Sequence, residues 1–201
     1  MRRPTRGTVA RSALGCRVKS GWAMAVLVEG PARAPRVVDR RAIALSDAHV
    51  PTSRQPYHAV MDARPGQAAK LERSLRALVE RVTRRSLGAL LKQYRREGRR
   101  VRRVALVVGS LIDPARIGND HIRAHALEGQ LFRTALERAT RAARLPCTTL
   151  VERSLYDTAA TRLKRSPDAL RRAVTDLGGS LEGPWRADEK AATLAAWLAL
   201  E

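Results

Sequence analysis

Aromatic side chains are scarce in this sequence, with three Trp, three Tyr and one Phe among 201 residues. Proteins that read single-stranded nucleic acid by stacking bases on several rings need more of them, so the sequence argues against that class. Lysine is scarce as well: five of the 39 basic residues are lysine, and arginine supplies the rest. No apolar run approaches the roughly 20 residues of a membrane-spanning helix, which predicts a soluble protein that does not partner a membrane.

Cysteine occurs only twice, as Cys16 and Cys147, each inside an apolar, strand-like run. No CxxC pair and no Cys/His zinc spacing occurs, which excludes a structural zinc site of that kind. Buried, reduced thiols are therefore expected for both residues. The basic residues 1–12 are not followed by a continuous apolar segment or a small-residue cleavage site, so we expect no secretory signal and a cytoplasmic location.

The net charge of +20 is concentrated in two parts of the chain. Residues 1–41 contain ten basic and two acidic groups, and residues 64–103 contain fourteen and three, whereas residues 104–201 are nearly balanced. A local excess of this kind predicts a surface that attracts phosphate backbones or acidic partners. A GC-rich genome would give the same arginine bias, so both explanations stay open.

Hydrophobic patterning predicts one α/β domain over residues 13–201, preceded by a flexible basic arm at residues 1–12. Three hairpin-connected strands are followed by alternating helix and strand, which implies a mixed sheet with helices on both faces. The last two strands are expected at its centre. Strands are expected at Ala13–Val18, Trp22–Val28, Val37–Leu45, Arg103–Val108 and Pro146–Val151. Helices are expected at Gln67–Gly98, Asp120–Arg144, Ser154–Lys164, Pro167–Leu177 and Ala187–Leu200.

Two local features refine this prediction. The apolar face of the helix at 67–98 changes direction after Ser86, which predicts a kink or a break near Gly88. Ser46–Met61 contains two prolines and is expected to be mostly loop, with a short edge strand at its end. In that segment the Tyr57-His58 pair is expected to fix the loop against the sheet.

Four basic residues form a stripe along one face of the long helix: Arg81, Arg85, Lys92 and Arg96. Such a stripe is either an ordinary solvated face or a surface that follows phosphates.

Three ionisable residues share one face of the second long helix. His121, His125 and Glu128 lie at i, i+4 and i+7, on the side that carries the apolar residues. Polar groups turned inward must be hydrogen-bonded or must serve a site. The spacing suits the ligands of a transition metal, or a general base with an orienting acid. The alternative is a set of partly buried side chains satisfied by the preceding loop and by Arg54 or Arg116.

Short motifs at both ends of the chain carry a resemblance to a known family. They are Leu14-Gly15-Cys16-Arg17, Gly21-Trp22-Ala23 and Val26-Leu27 in the opening hairpin, and Ala187-Asp188-Glu189-Lys190-Ala191-Ala192 in the last helix. With the element order, they make residues 13–200 resemble the ribonuclease H-like superfamily, in particular its Holliday-junction-resolvase branch and predicted nucleases. The resemblance implies a ribonuclease H-like mixed sheet. It also implies phosphodiester cleavage by metal ions on carboxylates of the first strand and the last helix.

The sequence departs from the family pattern where those metal ions would bind. Arg17 occupies the acidic position of the first strand, and Lys19 is close by. The fourth strand ends in Val107-Val108-Gly109-Ser110 without an acid, and Ala191 replaces the second acid of the last helix. Only Asp188 matches. Cations at these positions repel a divalent ion, so the standard nuclease site is predicted to be absent.

We favour a catalytically degenerate domain that binds nucleic acid or phosphate by fixed positive charge and needs no cofactor. Its expected contacts are Arg17, Lys19, Ser20, Arg81, Arg85, Lys92 and Arg96.

Two other functions stay open, and the sequence also leaves homo-oligomerisation open. One is a divergent phosphodiesterase that uses Mg²⁺ or Mn²⁺ on a relocated carboxylate site, formed where strand ends gather at one edge of the sheet. Its candidate residues are Asp113, Glu152 and Asp188. The other resembles the actin and sugar-kinase group, whose first hairpin holds nucleotide phosphates, here through Lys19-Ser20-Gly21.

Overall fold

The computed structural model describes residues 11–64 and 66–201, without the side chain of Ser180. Of the arm expected at residues 1–12, residues 1–10 therefore lie outside the described residues. The strands are β1 (Ser12–Lys19), β2 (Trp22–Glu29), β3 (Arg36–Ala44), β4 (Val101–Val108) and β5 (Cys147–Val151). The helices are α1 (Pro56–Met61), α2 (Ala68–Arg96), α3 (Asp120–Ala142), α4 (Leu155–Leu163), α5 (Pro167–Leu177) and α6 (Ala187–Ala199).

The five strands form one mixed sheet in the order β3-β2-β1-β4-β5. β1 is the central strand, antiparallel to β2 and parallel to β4, and β5 is parallel to β4. The hairpin between β1 and β2 turns at Ser20 and Gly21, where the positive φ of 85° suits glycine. The predicted α/β fold with three hairpin-connected strands is confirmed.

Successive side chains of β1 point to opposite faces of the sheet and pack in two different layers, as the pleat of a strand requires. Leu14, Cys16 and Val18 belong to the core under α2 and α3. On the other face Gly15 lies so close to α6 that an added Cβ atom would overlap the carbonyl oxygen of Ala192. This close approach fixes α6 along β1. The helices therefore cover both faces, and the start of α6 lies near the end of β1.

The position of β5 differs from the prediction. The sequence pattern predicts Pro146–Val151 as a central strand, but β5 forms an edge of the sheet and its residues are exposed or half-buried. Cys147, predicted to be buried, is exposed, whereas Cys16 is fully buried. The reason is that β4 alone among the described strands pairs with β5, so one side of β5 has no hydrogen-bonded neighbour among them.

The segment before α2 also differs from the prediction. In place of an edge strand, it forms a 3-10 turn at Pro51–Arg54 and the short helix α1. Both begin with a proline, whose fixed φ and missing N–H suit the first turn of a helix. The prolines therefore mark helix starts, and the second of them brings His58 into α1.

Of the kink or break predicted near Gly88, the break is wrong, because α2 runs without interruption for 29 residues. Its apolar face changes direction because the helix changes neighbours. Glu80 in its first half pairs with Arg138 of α3, whereas the Tyr94 hydroxyl donates to Asp39 of β3 at 2.6 Å. Burial alone would raise the pKa of Asp39, but hydrogen bonds from Arg41 and Tyr94 hold that pKa below its ordinary value.

No helix in the two described ranges combines the length and the apolar character needed to cross a bilayer.

Candidate functional site

Arg17 lies near the end of the central strand, with 5% of its surface exposed. Its guanidinium makes a two-point contact with Glu152, in which Nε donates to Oε1 at 3.2 Å and Nη2 donates to Oε2. Nη1 donates to the carbonyl oxygens of Val18 and Val107, at 2.9 and 3.4 Å. Most of its N–H groups are therefore used inside the protein.

Asp188, in the first turn of α6, completes the group around Arg17. Its Oδ1 lies 3.8 Å from Arg17 Nε and 3.1 Å from Lys19 Nζ. A carboxylate in the first turn is favoured by the helix dipole, and the packing of α6 on Gly15 places that turn beside β1. Glu152 is supplied by a different element, since it is the first residue after β5.

The four charges neutralise one another: two cations, Arg17 and Lys19, face two carboxylates, Glu152 and Asp188. The resemblance noted in the sequence implies a divalent ion held by carboxylates at the end of the first strand and the start of the last helix. The residues present do not fit such an ion, because a guanidinium is bonded to one carboxylate and lies beside the other. A cation at that point repels Mg²⁺ and occupies the oxygen atoms that would bind it.

Asp113 has a local contact of its own. Its Oδ1 accepts a hydrogen bond at 3.0 Å from the backbone N–H of Ala115, which caps the 3-10 turn Pro114–Arg116. Among the described residues, the acids Asp113, Glu152 and Asp188 do not form a cluster of three possible metal ligands. The relocated carboxylate site stays a prediction, and two of its three members meet at Arg17.

A cleft of about 410 Å³ opens beside Arg17, at the carboxyl ends of β1 and β4. Lys19 and Ser20 line one part of it, and His125 of α3 lines another. The side chain of Lys19 is 37% exposed, so its ammonium reaches solvent even though it pairs with Asp188.

The basic stripe of α2 lies on the outer surface. Arg81, Arg85, Lys92 and Arg96 are all exposed, and none of them forms an ion pair within the described residues. Two further arginines on the same side of the helix, Arg84 and Arg95, are also exposed. From residue 81 to residue 96 the stripe extends about 22 Å along the helix axis. Its positive charge is uncompensated, unlike that of the group around Arg17.

The three residues predicted on the inner face of α3 do not share one environment. Glu128 is fully buried, but His121 and His125 are exposed, so the expectation that all three turn inward is wrong for the histidines. They lie in the first turns of α3, which project beyond the core. The partner of Glu128 is neither Arg54 nor Arg116 but His58, whose Nδ1 lies 2.7 Å from Oε1.

The sequence marks most of these residues individually, but it does not predict which of them contact one another. The sequence links His58 to its neighbour Tyr57, but nothing in it connects His58 to a helix that begins about 60 residues later. The Arg17–Glu152 pair joins residues 135 positions apart. Charge complementarity between the ends of β1 and β5 is the one signal that points to that pair.

No protein-family model and no curated protein matches the sequence. Among solved structures, the chain is similar to Thermus thermophilus RuvC in two structures, one of them in complex with a Holliday junction substrate. The TM-scores are 0.52 and 0.51 at 12% identity, over 94% of this chain and 93% of that chain. It is also similar to an Aquifex aeolicus member of the Ppx/GppA family, with a TM-score of 0.37 and 9% identity over 77% of this chain and 40% of that one. The chain therefore has a ribonuclease H-like fold, as its element order predicts.

Proposed function

We propose that this protein is a catalytically degenerate ribonuclease H-like domain that binds nucleic acid through fixed positive charge, without a divalent ion. The stripe of α2 supplies the main contact surface, formed by Arg81, Arg85, Lys92 and Arg96. Lys19 and Ser20 add contacts from the cleft, next to Arg17.

One observation carries the proposal: the four exposed cations of the α2 stripe have no acidic partners in the described part of the chain, in a protein of net charge +20. Unpaired guanidinium groups in a row attract a phosphate backbone and release its counterions on binding. An incidental solvated face would not need six basic side chains on one side of one helix, among residues 81–96.

The group around Arg17 supports the loss of catalysis. Metal-dependent cleavage requires several free carboxylate oxygens close together. Here the oxygens of Glu152 and Asp188 are bound by Arg17 and Lys19, so they are stabilised by protein cations. Arg17 lines the same cleft as Lys19. The RuvC structure with a Holliday junction suggests branched DNA as the first nucleic acid to test.

The stripe is tested by removing its charge. In EDTA, fluorescence anisotropy measures the affinity for a labelled four-way junction and for duplex DNA over a range of salt concentrations. The wild type is expected to bind with a steep, linear dependence of log Kd on log salt. Changing the stripe by Arg81→Gln, Arg85→Gln, Lys92→Gln and Arg96→Gln should weaken binding and reduce that slope by about 0.9 for each phosphate that the protein no longer neutralises.

A matched variant controls for net charge. Arg141→Gln, Arg153→Gln, Lys164→Gln and Arg172→Gln remove four exposed cations from the nearly neutral C-terminal half. This variant should keep the slope and affinity of the wild type. Equal decreases in affinity for both variants would show that net charge alone, and not the stripe, controls binding.

A metal-dependent phosphodiesterase on Asp113, Glu152 and Asp188 is the competing proposal. It requires that Mg²⁺ or Mn²⁺ displace Arg17 and Lys19 from two of those carboxylates. Cleavage of the junction, measured in the same samples with either ion added, separates the two proposals.

A further inference from the structure

Three histidine side chains from two helices converge at the start of α3. One ring nitrogen of each of His58, His121 and His125 lies within 4.8 Å of a ring nitrogen of the other two. The Nε2 atoms of His121 and His125 are 3.2 Å apart. The ring centroids are separated by 4.4 to 4.8 Å, with the rings tilted or edge-on and not stacked. The three imidazoles therefore lie close enough together for one ring nitrogen of each to face the same small region.

Glu128 hydrogen-bonds one of these rings and lies near a second. Its Oε1 lies 2.7 Å from Nδ1 of His58, and its Oε2 lies 3.7 Å from Nδ1 of His125. Both Nδ1 atoms face the carboxylate, which leaves Nε2 of each ring for another partner. A carboxylate that fixes the ring and the tautomer of a metal-bound histidine in this way is common in metal sites.

Two buried atoms in this group have no hydrogen-bond partner among residues 11–64 and 66–201: His58 Nε2 and Glu128 Oε2. Glu128 is completely buried, and a buried carboxylate with an unsatisfied oxygen is unfavourable unless a cation compensates its charge. No lysine or arginine pairs with Glu128 within the described residues. A divalent ion bound to His58 and His125 would supply that charge and would also give His58 Nε2 its partner.

We propose that His58, His121 and His125 bind one Zn²⁺ ion, with Glu128 as the carboxylate that orients the ligands. Three imidazole nitrogens without sulfur are a ligand set for zinc, and a hard ion such as Mg²⁺ requires oxygen. Tetrahedral zinc with bonds of about 2.0–2.1 Å separates its nitrogen ligands by about 3.4 Å. The His121–His125 pair already has nearly that spacing at 3.2 Å, and His58, whose ring nitrogen lies within 4.8 Å of theirs, must move closer to complete the set.

Three protein ligands leave a fourth coordination position. His121 and His125 are exposed, and His125 also lines the cleft that holds Lys19, so we expect solvent to reach this position. Such a position accepts water or an anionic oxygen, as it does in zinc sites that do chemistry. The site is separate from the Arg17 group and does not depend on nucleic-acid binding.

The test titrates metal-free, full-length protein with ZnSO₄ in a calorimeter and with CoCl₂ in a spectrophotometer. We expect about one Zn²⁺ per chain, visible absorption bands of tetrahedral Co²⁺, and no heat from MgCl₂. At a hundredfold excess over Kd, Zn²⁺ should raise the Tm by roughly 5 to 10 °C.

The variants assign the ligands. His121→Ala and His125→Ala change exposed residues, so the protein should fold, and each should bind Zn²⁺ at least about tenfold more weakly. Glu128→Gln keeps a hydrogen-bond acceptor for His58 and removes the charge; it should retain the Co²⁺ bands and bind Zn²⁺ about 10- to 100-fold more weakly. His49→Ala changes the remaining histidine of the sequence and should bind as the wild type does.

Three results would overturn the proposal. One is the absence of stoichiometric binding by the wild type. Another is unchanged affinity in folded His121→Ala and His125→Ala. The third is loss of binding in Cys147→Ser, which would assign the metal to the exposed thiol. None of these results bears on the α2 stripe, so the two proposals fail independently.

Discussion

At the end of the central strand, one guanidinium group compensates carboxylates that come from two other parts of the chain. Arg17 reaches Glu152 after β5 and Asp188 in α6, and Lys19 reaches Asp188 as well. A metal ion would hold the same two acids together by its charge. The side chain of Arg17 does so permanently, but it cannot supply the chemistry of a metal ion.

Mutation can give this neutral group of four charges a negative net charge. Arg17→Asp combined with Lys19→Ser places a third carboxylate beside Glu152 and Asp188 and removes both cations. Repulsion should lower the Tm in EDTA, and 10 mM Mg²⁺ should then stabilise the variant by about 1.4 kcal/mol if Kd is near 1 mM. For a chain of this size, that is a Tm increase of roughly 3 to 6 °C.

The wild type and Lys19→Ser alone serve as controls in the same thermal scans. Both retain Arg17, so Mg²⁺ should leave their Tm unchanged. A similar Mg²⁺-dependent increase in the wild type would contradict the assignment of Arg17 as the replacement for the metal.

At the scale of single elements, two glycines within a strand and a helix differ in how closely neighbouring elements approach them. Gly15 lets α6 lie directly on β1 and so brings Asp188 to Arg17. Gly88 is exposed in the second half of α2, and outside its own stretch of helix no atom of the described residues is within 4 Å of the position of an added Cβ. Only the first glycine is required by its surroundings.

Alanine substitutions test this difference. Gly88→Ala should stabilise the protein by about 1 kcal/mol, which raises the Tm by roughly 2 to 4 °C, because alanine is the better helix former. Gly15→Ala should strongly destabilise it, since β1 and α6 must separate to admit the methyl group. Thermal unfolding followed by circular dichroism measures both. A lower Tm for Gly88→Ala would indicate that α2 is locally distorted there.

For the whole molecule, the sequence predicts those features that depend on local pattern. Short apolar runs locate β1 to β4, and the helix predicted from Pro167 to Leu177 is α5. The edge position of β5 is not predicted, because it depends on which strands pair. The interruption expected near Gly88 is wrong because a rotating apolar face also fits one helix with two sets of neighbours.

In the candidate sites, too, the sequence predicts what depends on local pattern and not what depends on long-range packing. Individual residues such as Arg17, Asp188 and His125 stand out by type and position in the sequence. Their partners are set by long-range packing: Glu152 comes from the sheet edge, and His58 comes from a helix in a segment that the sequence predicts to be mostly loop. The chemistry of each site depends on those partners, which no local pattern reveals.

The central claim is that positive charge has replaced the metal, so that the domain holds nucleic acid and does not cut it. The most direct measurement incubates tag-free protein and an end-labelled four-way junction with Mg²⁺ or Mn²⁺, and runs native and denaturing gels from the same reaction. The account predicts a retarded complex on the native gel and intact strands on the denaturing gel. Strand cleavage that requires either ion and disappears in Asp188→Asn would contradict it.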